Sequence, residues 1–196
     1  MEQKIVSAAK KLFLEKGYEE TNMTDIAAEV GINRPTLHYY FRTKDIMFKA
    51  VFSSIIEEVL PNIFTIITAP TPFQEKIKTI TDTYIDNFIQ HPDLPRFIAG
   101  EAQRDIDHLI NTFRTLHYDK YLISIRDMLL SEMEKGNIKK VPIPVIYNTF
   151  FSQLTFPFLS EKLMTSLFFS DENEFLQFIA HLKEDIYNQM TSLLCY

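Results

Sequence analysis

The sequence predicts an all-α chain, an N-terminal three-helix head joined by a connecting helix to a larger C-terminal helical bundle. Three observations carry this. Apolar residues recur at three- and four-residue intervals in segment after segment, 4 of 196 residues are glycine, and no stretch alternates apolar and polar residues as a half-buried strand would. A hydrophobic share of 46% is enough to bury one substantial core beside a small head.

In the head, Ile5, Ala9, Leu12 and Phe13 form an apolar stripe that ends at Gly17. Thr24 is expected to cap a second helix whose Ile26, Ala27 and Val30 share one face, and Gly31 to end it in the left-handed conformation. Asn33 caps the third helix, Pro35 is tolerated in its first turn, and Leu37 and Phe41 face the core at an i, i+4 spacing. The opposite face is left with Arg34, Thr36, Tyr39 and Tyr40. Two short helices around a tight turn, the second so furnished, make a helix-turn-helix able to enter a major groove of double-stranded DNA.

Reach and chemistry divide the labour on that face. Arg34, near the helix start, can form a bidentate contact with guanine, while Thr36 and the ring of Pro35 can touch a thymine methyl. Tyr39 can meet a base or a phosphate and Tyr40 a phosphate. Lys44, in the first turn of the following helix, has free amides beside it that also attract a phosphate oxygen, and Thr24 can do the same across the groove. His38 has two readings, a DNA contact or a half-buried ring against the first helix. A plain helical hairpin with an ordinary solvated face is the alternative for the motif as a whole.

The ordered pieces Leu12-Phe13, Gly17-Tyr18, Thr24-Asp25-Ile26-Ala27, Gly31-Ile32-Asn33, Pro35-Thr36-Leu37 and Tyr40-Phe41-Arg42-Thr43-Lys44-Asp45 resemble the amino-terminal domain of TetR-type transcriptional regulators. The likeness runs ungapped from about Ile5 to Phe48, roughly a quarter of the chain, and the joint pattern is far more specific than any one piece. Val30, Asn33, Pro35 and His38 depart from the commonest pattern, and none of them breaks a helix. The resemblance implies a DNA-binding domain over residues 1–48 and an effector-binding and dimerisation domain over 49–196, with phosphate contacts at Thr24 and its neighbours. It also implies a homodimer formed through the last two long helices, and the reading taken from the whole sequence is a repressor released from its operator by a small apolar or aromatic molecule.

The formal charge of −6 is unevenly placed. Through Phe48 seven Lys and Arg balance seven Asp and Glu, so the excess of acid lies entirely in the remaining chain. Within the neutral head Arg34, Arg42 and Lys44 cluster at the third helix and its exit. Phosphate binding is therefore expected to be focused, with a shallower salt dependence than a broadly basic protein shows.

Beyond Thr43, a capping residue, apolar positions from Ile46 to Val59 continue to Pro61, predicting a connecting helix from Lys44 to Leu60. Thr71-Pro72 starts the next helix, which His91-Pro92 ends. A third segment begins near Asp93, and a fourth near Asp107 runs to Gly136 with a length of roughly 40 Å at helical rise. Val141 to Ser160 carries no charge, but Pro142, Pro144 and Pro157 with Asn148 and Gln153 argue against a membrane span. A helix apolar nearly all round needs a second covered side, which a partner subunit supplies. The final segment, Phe175, Phe178, Ile179, Leu182, Ile186, Met190 and Leu193, shows a cleaner stripe. A two-fold dimer would set its two reading helices about 34 Å apart on a palindrome.

Fourteen of seventeen phenylalanines follow residue 49. Phe88, Phe97, Phe113, Tyr121, Tyr147, Phe150 and Phe151 are the candidate walls of a pocket for an apolar or aromatic effector, although the same aromatic spacing also suits simple core. Glu101, Asp105 and His108 would align on an unbroken helix as metal ligands or an acid-base group, but a cap at Asp105 or Asp107 would break that register. His181 and Asp185 read as a surface pair.

No Gly-rich phosphate loop, paired-cysteine metal motif or nucleophile elbow is present, so neither catalysis nor a cofactor or metal is expected. The lone Cys195 precludes an intrachain disulfide, and no basic, apolar leader opens the chain, which points to the cytoplasm. Two rivals stay open here: a ligand-binding or scaffolding helical protein without operator specificity, and a helical enzyme built on the Glu101 cluster.

Overall fold

The computed structural model describes residues 1–196, the side chain of Glu172 excepted, and among the described residues every regular element is helical. In chain order these are α1 (Glu2–Glu20), α2 (Met23–Val30), α3 (Arg34–Tyr40), α4 (Lys44–Ile56), α5 (Leu60–Thr68), α6 (Phe73–Gln90), α7 (Asp93–Arg104), α8 (Ile106–Thr115), α9 (Asp119–Glu134), α10 (Ile143–Leu159), α11 (Glu161–Phe168) and α12 (Glu172–Leu194). They pack as two compact units that are discontinuous in sequence, Met1–Glu58 with Arg96–Tyr118, and Val59–Pro95 with Asp119–Tyr196.

In the first unit α1 buries Ile5, Ala9, Leu12 and Phe13. Its helix is interrupted at Gly17, whose φ of 74° and ψ of 179° lie where side chains are strained. Gly31 ends α2 at φ 76° and ψ 32°, as expected. The N-cap of α2 is Asn22 rather than Thr24: the Asn22 Oδ1 accepts the amides of Thr24 (3.0 Å) and Asp25 (2.9 Å), which leaves Thr24 inside the first turn. Asn33 does cap α3, accepting the Thr36 amide at 2.8 Å, and Leu37 and Phe41 are buried.

The Thr43 hydroxyl accepts the Ile46 amide and opens α4, but that helix stops at Ile56, not Leu60. The Glu58 amide turns back to Ile55, tightening the final turn, and Pro61 sits in the first turn of α5, where its missing N–H costs nothing. The single long helix expected from Asp107 to Gly136 is likewise two helices. Asp105 caps α8 by accepting the His108 amide at 2.9 Å. His117 then adopts a positive φ of 58°, and Tyr118 is buried with its hydroxyl 2.6 Å from Ser53 Oγ and 2.9 Å from Glu57 Oε1. That anchor holds the chain out of helical register.

In the second unit α12 packs along α6 and α10, and α5 packs on α6 and α9. The core between them includes Ile77, Tyr84, Ile85 and Phe88 of α6, Leu154 and Phe158 of α10, and Phe175, Ile179, Ile186 and Met190 of α12. Helix α11 contributes no buried residue. Among the described residues no single helix is long and apolar enough to cross a membrane.

Candidate functional site

The first unit presents α3 to solvent. Arg34 and Pro35 are exposed, Tyr39 is 83% exposed, and Tyr40 packs its ring edge-to-face on Tyr39 at 5.3 Å. No acidic residue lies on α3. Arg34 Nε donates to His38 Nε2 (3.2 Å), so the other imidazole nitrogen, Nδ1, carries the proton and donates to the Arg42 carbonyl (3.1 Å). His38 is therefore a half-buried strut that orients Arg34 and ties the end of α3 to its exit. The Thr36 hydroxyl donates to Asn33 Oδ1 at 2.7 Å. Thr24 is exposed in the first turn of α2.

Lys44, at the start of α4, is half-buried. Its ammonium donates to the Glu19 carbonyl at 3.1 Å and lies 4.4 Å from the centre of the Tyr18 ring. The Arg104 guanidinium lies 4.3 Å from the same ring, so one phenol serves two cations. Burial, then the charge of Asp45, raises the Tyr18 pKa against the opposing effect of Arg104.

Behind Tyr18 the Glu101 cluster resolves into a polar relay. Glu101 is 3% exposed; its Oε1 accepts the Tyr18 amide (3.0 Å), and its Oε2 accepts Arg104 Nε (2.9 Å) and Nη2 (2.7 Å). Arg104 Nη2 also donates to His108 Nδ1 at 3.1 Å, which leaves His108 Nε2 to donate to Asp45 Oδ1 at 2.7 Å. Burial works against the Asp45 charge, but hydrogen bonds from His108 and Lys49 prevail and lower its pKa. Asp105, expected to share this cluster, is occupied as the α8 cap, and among the described residues no group of three potential ligands is placed to hold a metal ion.

The second unit contains a cavity of about 500 Å³ between α5, α6, α9, α10 and α12. Three of the anticipated aromatic residues, Tyr147, Phe150 and Phe151, line it. The other four do not. Phe88 packs edge-on against Phe158, Tyr121 against Phe64, and Phe97 and Phe113 belong to the first unit, beside Phe48 and Phe52. Most of the wall is aliphatic, with Ile77 and Ile80 of α6 and Leu122, Met128 and Leu129 of α9. Their helical stripe was visible, but a stripe alone does not separate a cavity wall from solid core. Tyr84, read only as part of that stripe, also lines the cavity, and burial with the neighbouring Tyr147 phenol raises its pKa strongly.

Residues 5–51 match the family described as bacterial regulatory proteins, tetR family. The biofilm operon icaADBC HTH-type negative transcriptional regulator IcaR of Staphylococcus epidermidis is 30% identical over 124 residues, 60% of this chain and 65% of that protein. The HTH-type transcriptional activator FasR of Mycolicibacterium smegmatis is 23% identical over 87 residues, 44% of this chain and 39% of that one. The chain thus spans less than two thirds of the length of these relatives. A crystal structure of the transcriptional regulator FadR from Bacillus subtilis in complex with stearoyl-CoA superposes with a TM-score of 0.76 at 15% identity, covering 98% of each chain, and shows the fold.

Proposed function

We propose that the chain, whose residues 5–51 match the TetR family of bacterial regulatory proteins, is a sequence-specific DNA-binding transcriptional regulator, a homodimeric repressor that leaves a palindromic operator when a small apolar molecule fills the cavity of its second unit. The observation that carries this reading is the solvent face of α3, where an oriented Arg34 and two exposed tyrosines stand free of any neighbouring carboxylate on the helix. Arg34, Pro35 and Thr36 read bases, Tyr39 reads a base or phosphate, Tyr40, Lys44 and Thr24 hold phosphates, and His38 acts through Arg34.

Support for a partner subunit comes from the apolar side chains left uncovered on α10, α11 and α12. Phe156 is 62% exposed, Leu167 65% and Phe168 72%, an apolar surface that a two-fold partner would bury. Support for a ligand is the cavity itself, and the FadR structure, in which a protein of this fold holds stearoyl-CoA, is consistent with an apolar occupant. Repression is taken from IcaR, a negative regulator whose likeness is both closer and longer than that of the activator FasR. A coupling of about 1–3 kcal/mol between effector and operator would change DNA affinity by roughly five- to 150-fold, enough for a switch.

Selection of bound DNA from fragments of the source genome, repeated with candidate effectors, tests the proposal. The expected result is enrichment of a palindrome whose retention falls when an apolar compound is added. Failure to retain any duplex at low ionic strength would overturn it.

A further inference from the structure

The cavity of the second unit is lined by twenty side chains, of which four are polar: Lys76, Tyr84, Arg126 and Tyr147. All four can donate a hydrogen bond, two are cations, and none is a carboxylate or an amide. The remaining sixteen are aliphatic, aromatic or thioether groups. We propose that the effector is an apolar monocarboxylate, its hydrocarbon body filling the cavity and its carboxylate held by Lys76, with Arg126 as the second cation; this rests on the effector-binding reading given above.

Lys76 and Arg126 each keep hydrogens beyond those given to their own partners. Lys76 Nζ gives one hydrogen to the Ile67 carbonyl at 2.7 Å, which fixes the ammonium in place and leaves two hydrogens for a ligand. Arg126 lies at the rim with its side chain 52% exposed and directs Nε and Nη2 to Asp127 Oδ1, so it is partly neutralised and still offers Nη1. Glu132, whose charge Lys76 also feels, has its oxygens taken by Lys135 (3.1 Å) and Asn137 (2.8 Å). Tyr84 is 8% exposed and lines the cavity, and its hydroxyl makes no hydrogen bond among the described residues, which leaves it free to donate to a ligand acceptor. A ligand amine would face two like charges, and a pure hydrocarbon would offer no acceptor to the Tyr84 hydroxyl or to the hydrogens that Lys76 and Arg126 keep. Leu122, Ile123 and Tyr147 are 38%, 43% and 54% exposed, so the apolar wall reaches solvent and provides a way in.

Calorimetric titration of the full chain with dodecanoate, dodecanol and dodecylamine, all below their aggregation limits, separates head group from body. The expected result is one saturable site per chain that takes dodecanoate about tenfold more tightly than dodecanol, with the amine weakest, since a charge-assisted hydrogen bond is worth that factor. Lys76→Met should bring dodecanoate down to the level of dodecanol while leaving dodecanol unchanged, which also reports that the cavity is intact. Arg126→Leu should give a smaller loss of the same kind. Equal binding of all three probes, tighter binding of the amine, or a Lys76→Met variant that keeps its preference overturns the carboxylate and leaves the effector cavity standing. Stearoyl-CoA binding more tightly than both dodecanoate and stearate would also overturn it, in favour of a thioester head. If no probe binds, the effector-cavity reading falls with it.

Discussion

His108 donates its Nε2 proton to Asp45 Oδ1 across 2.7 Å, joining α8 to the first turn of α4 through two residues 63 positions apart. Asp45 follows Lys44, so the end of α4 proposed to hold a phosphate is braced from a helix that begins far along the chain. The imidazole also lies 5.1 Å from the Phe48 ring and 5.2 Å from Tyr18, which separates its packing from its hydrogen bonds.

A His108→Phe variant keeps most of that ring packing and loses both hydrogen bonds. Affinity for cognate and random duplexes should fall alike, by about three- to tenfold, if the turn that His108 positions holds a phosphate as proposed and reads no base. Fluorescence anisotropy with labelled duplexes measures this. In combination with Asp45→Ala the losses should be strongly non-additive; additive losses would show that the two residues act separately.

The same pair makes stability depend on pH. Because the folded Asp45 pKa is lowered from its ordinary 3.8, its contribution is fully present above that value and disappears as pH falls through the lower folded pKa. Asp45 is 40% exposed, so solvent screening keeps the effect small. Urea titrations between neutral and strongly acidic pH should show a shallower acid-side loss in Asp45→Asn than in the parent chain.

On the DNA face, Arg34→Ala should cost about 1–3 kcal/mol at cognate DNA and much less on random sequence. Lys44→Ala should weaken all duplexes alike and reduce the slope of affinity against salt by about one unit. Binding isotherms at several salt concentrations distinguish them, and identical behaviour of the two variants would contradict the division between base reading and phosphate holding.

The uncovered apolar side chains of α11 give a test of the proposed dimer. Leu167→Glu with Phe168→Asp places charge on positions 65% and 72% exposed, where neither should disturb the unit's own core. Light scattering coupled to gel filtration should then report monomers, with retained helicity and a loss of palindrome binding. A dimer that survives both changes would move the interface elsewhere.

Much of the head was legible because each boundary there rests on one residue with a specific backbone role. Gly31 must take a positive φ, and Asn33 and Thr43 must accept the amides of the turns they begin. The cap of α2 was misplaced by two residues because Asn22 and Thr24 are both suitable acceptors, and only the fold shows which one precedes the first helical turn. The break after α8 was hidden for a different reason. Apolar residues at Ile110, Phe113, Leu116 and Tyr121 keep helical spacing across it, and the cause is a tertiary anchor, Tyr118 on Ser53 and Glu57, that no local pattern carries. The aromatic candidates divided for the same reason. Phe97 and Phe113 met Phe48 and Phe52, whereas Phe150 and Phe151 reached the cavity.

The packing of Arg96–Tyr118 with Met1–Glu58 bears on how this protein can be taken apart. Phe48 and Phe52 are 0% and 1% exposed, and part of their cover comes from Phe97 and Phe113. A fragment cut after the first four helices would bare those rings to water and lose the Glu101 carboxylate that receives the Tyr18 amide. Chimeras that transplant this first unit onto another scaffold must therefore carry two stretches of polypeptide, because an excised N-terminal module alone would be sticky and poorly shaped.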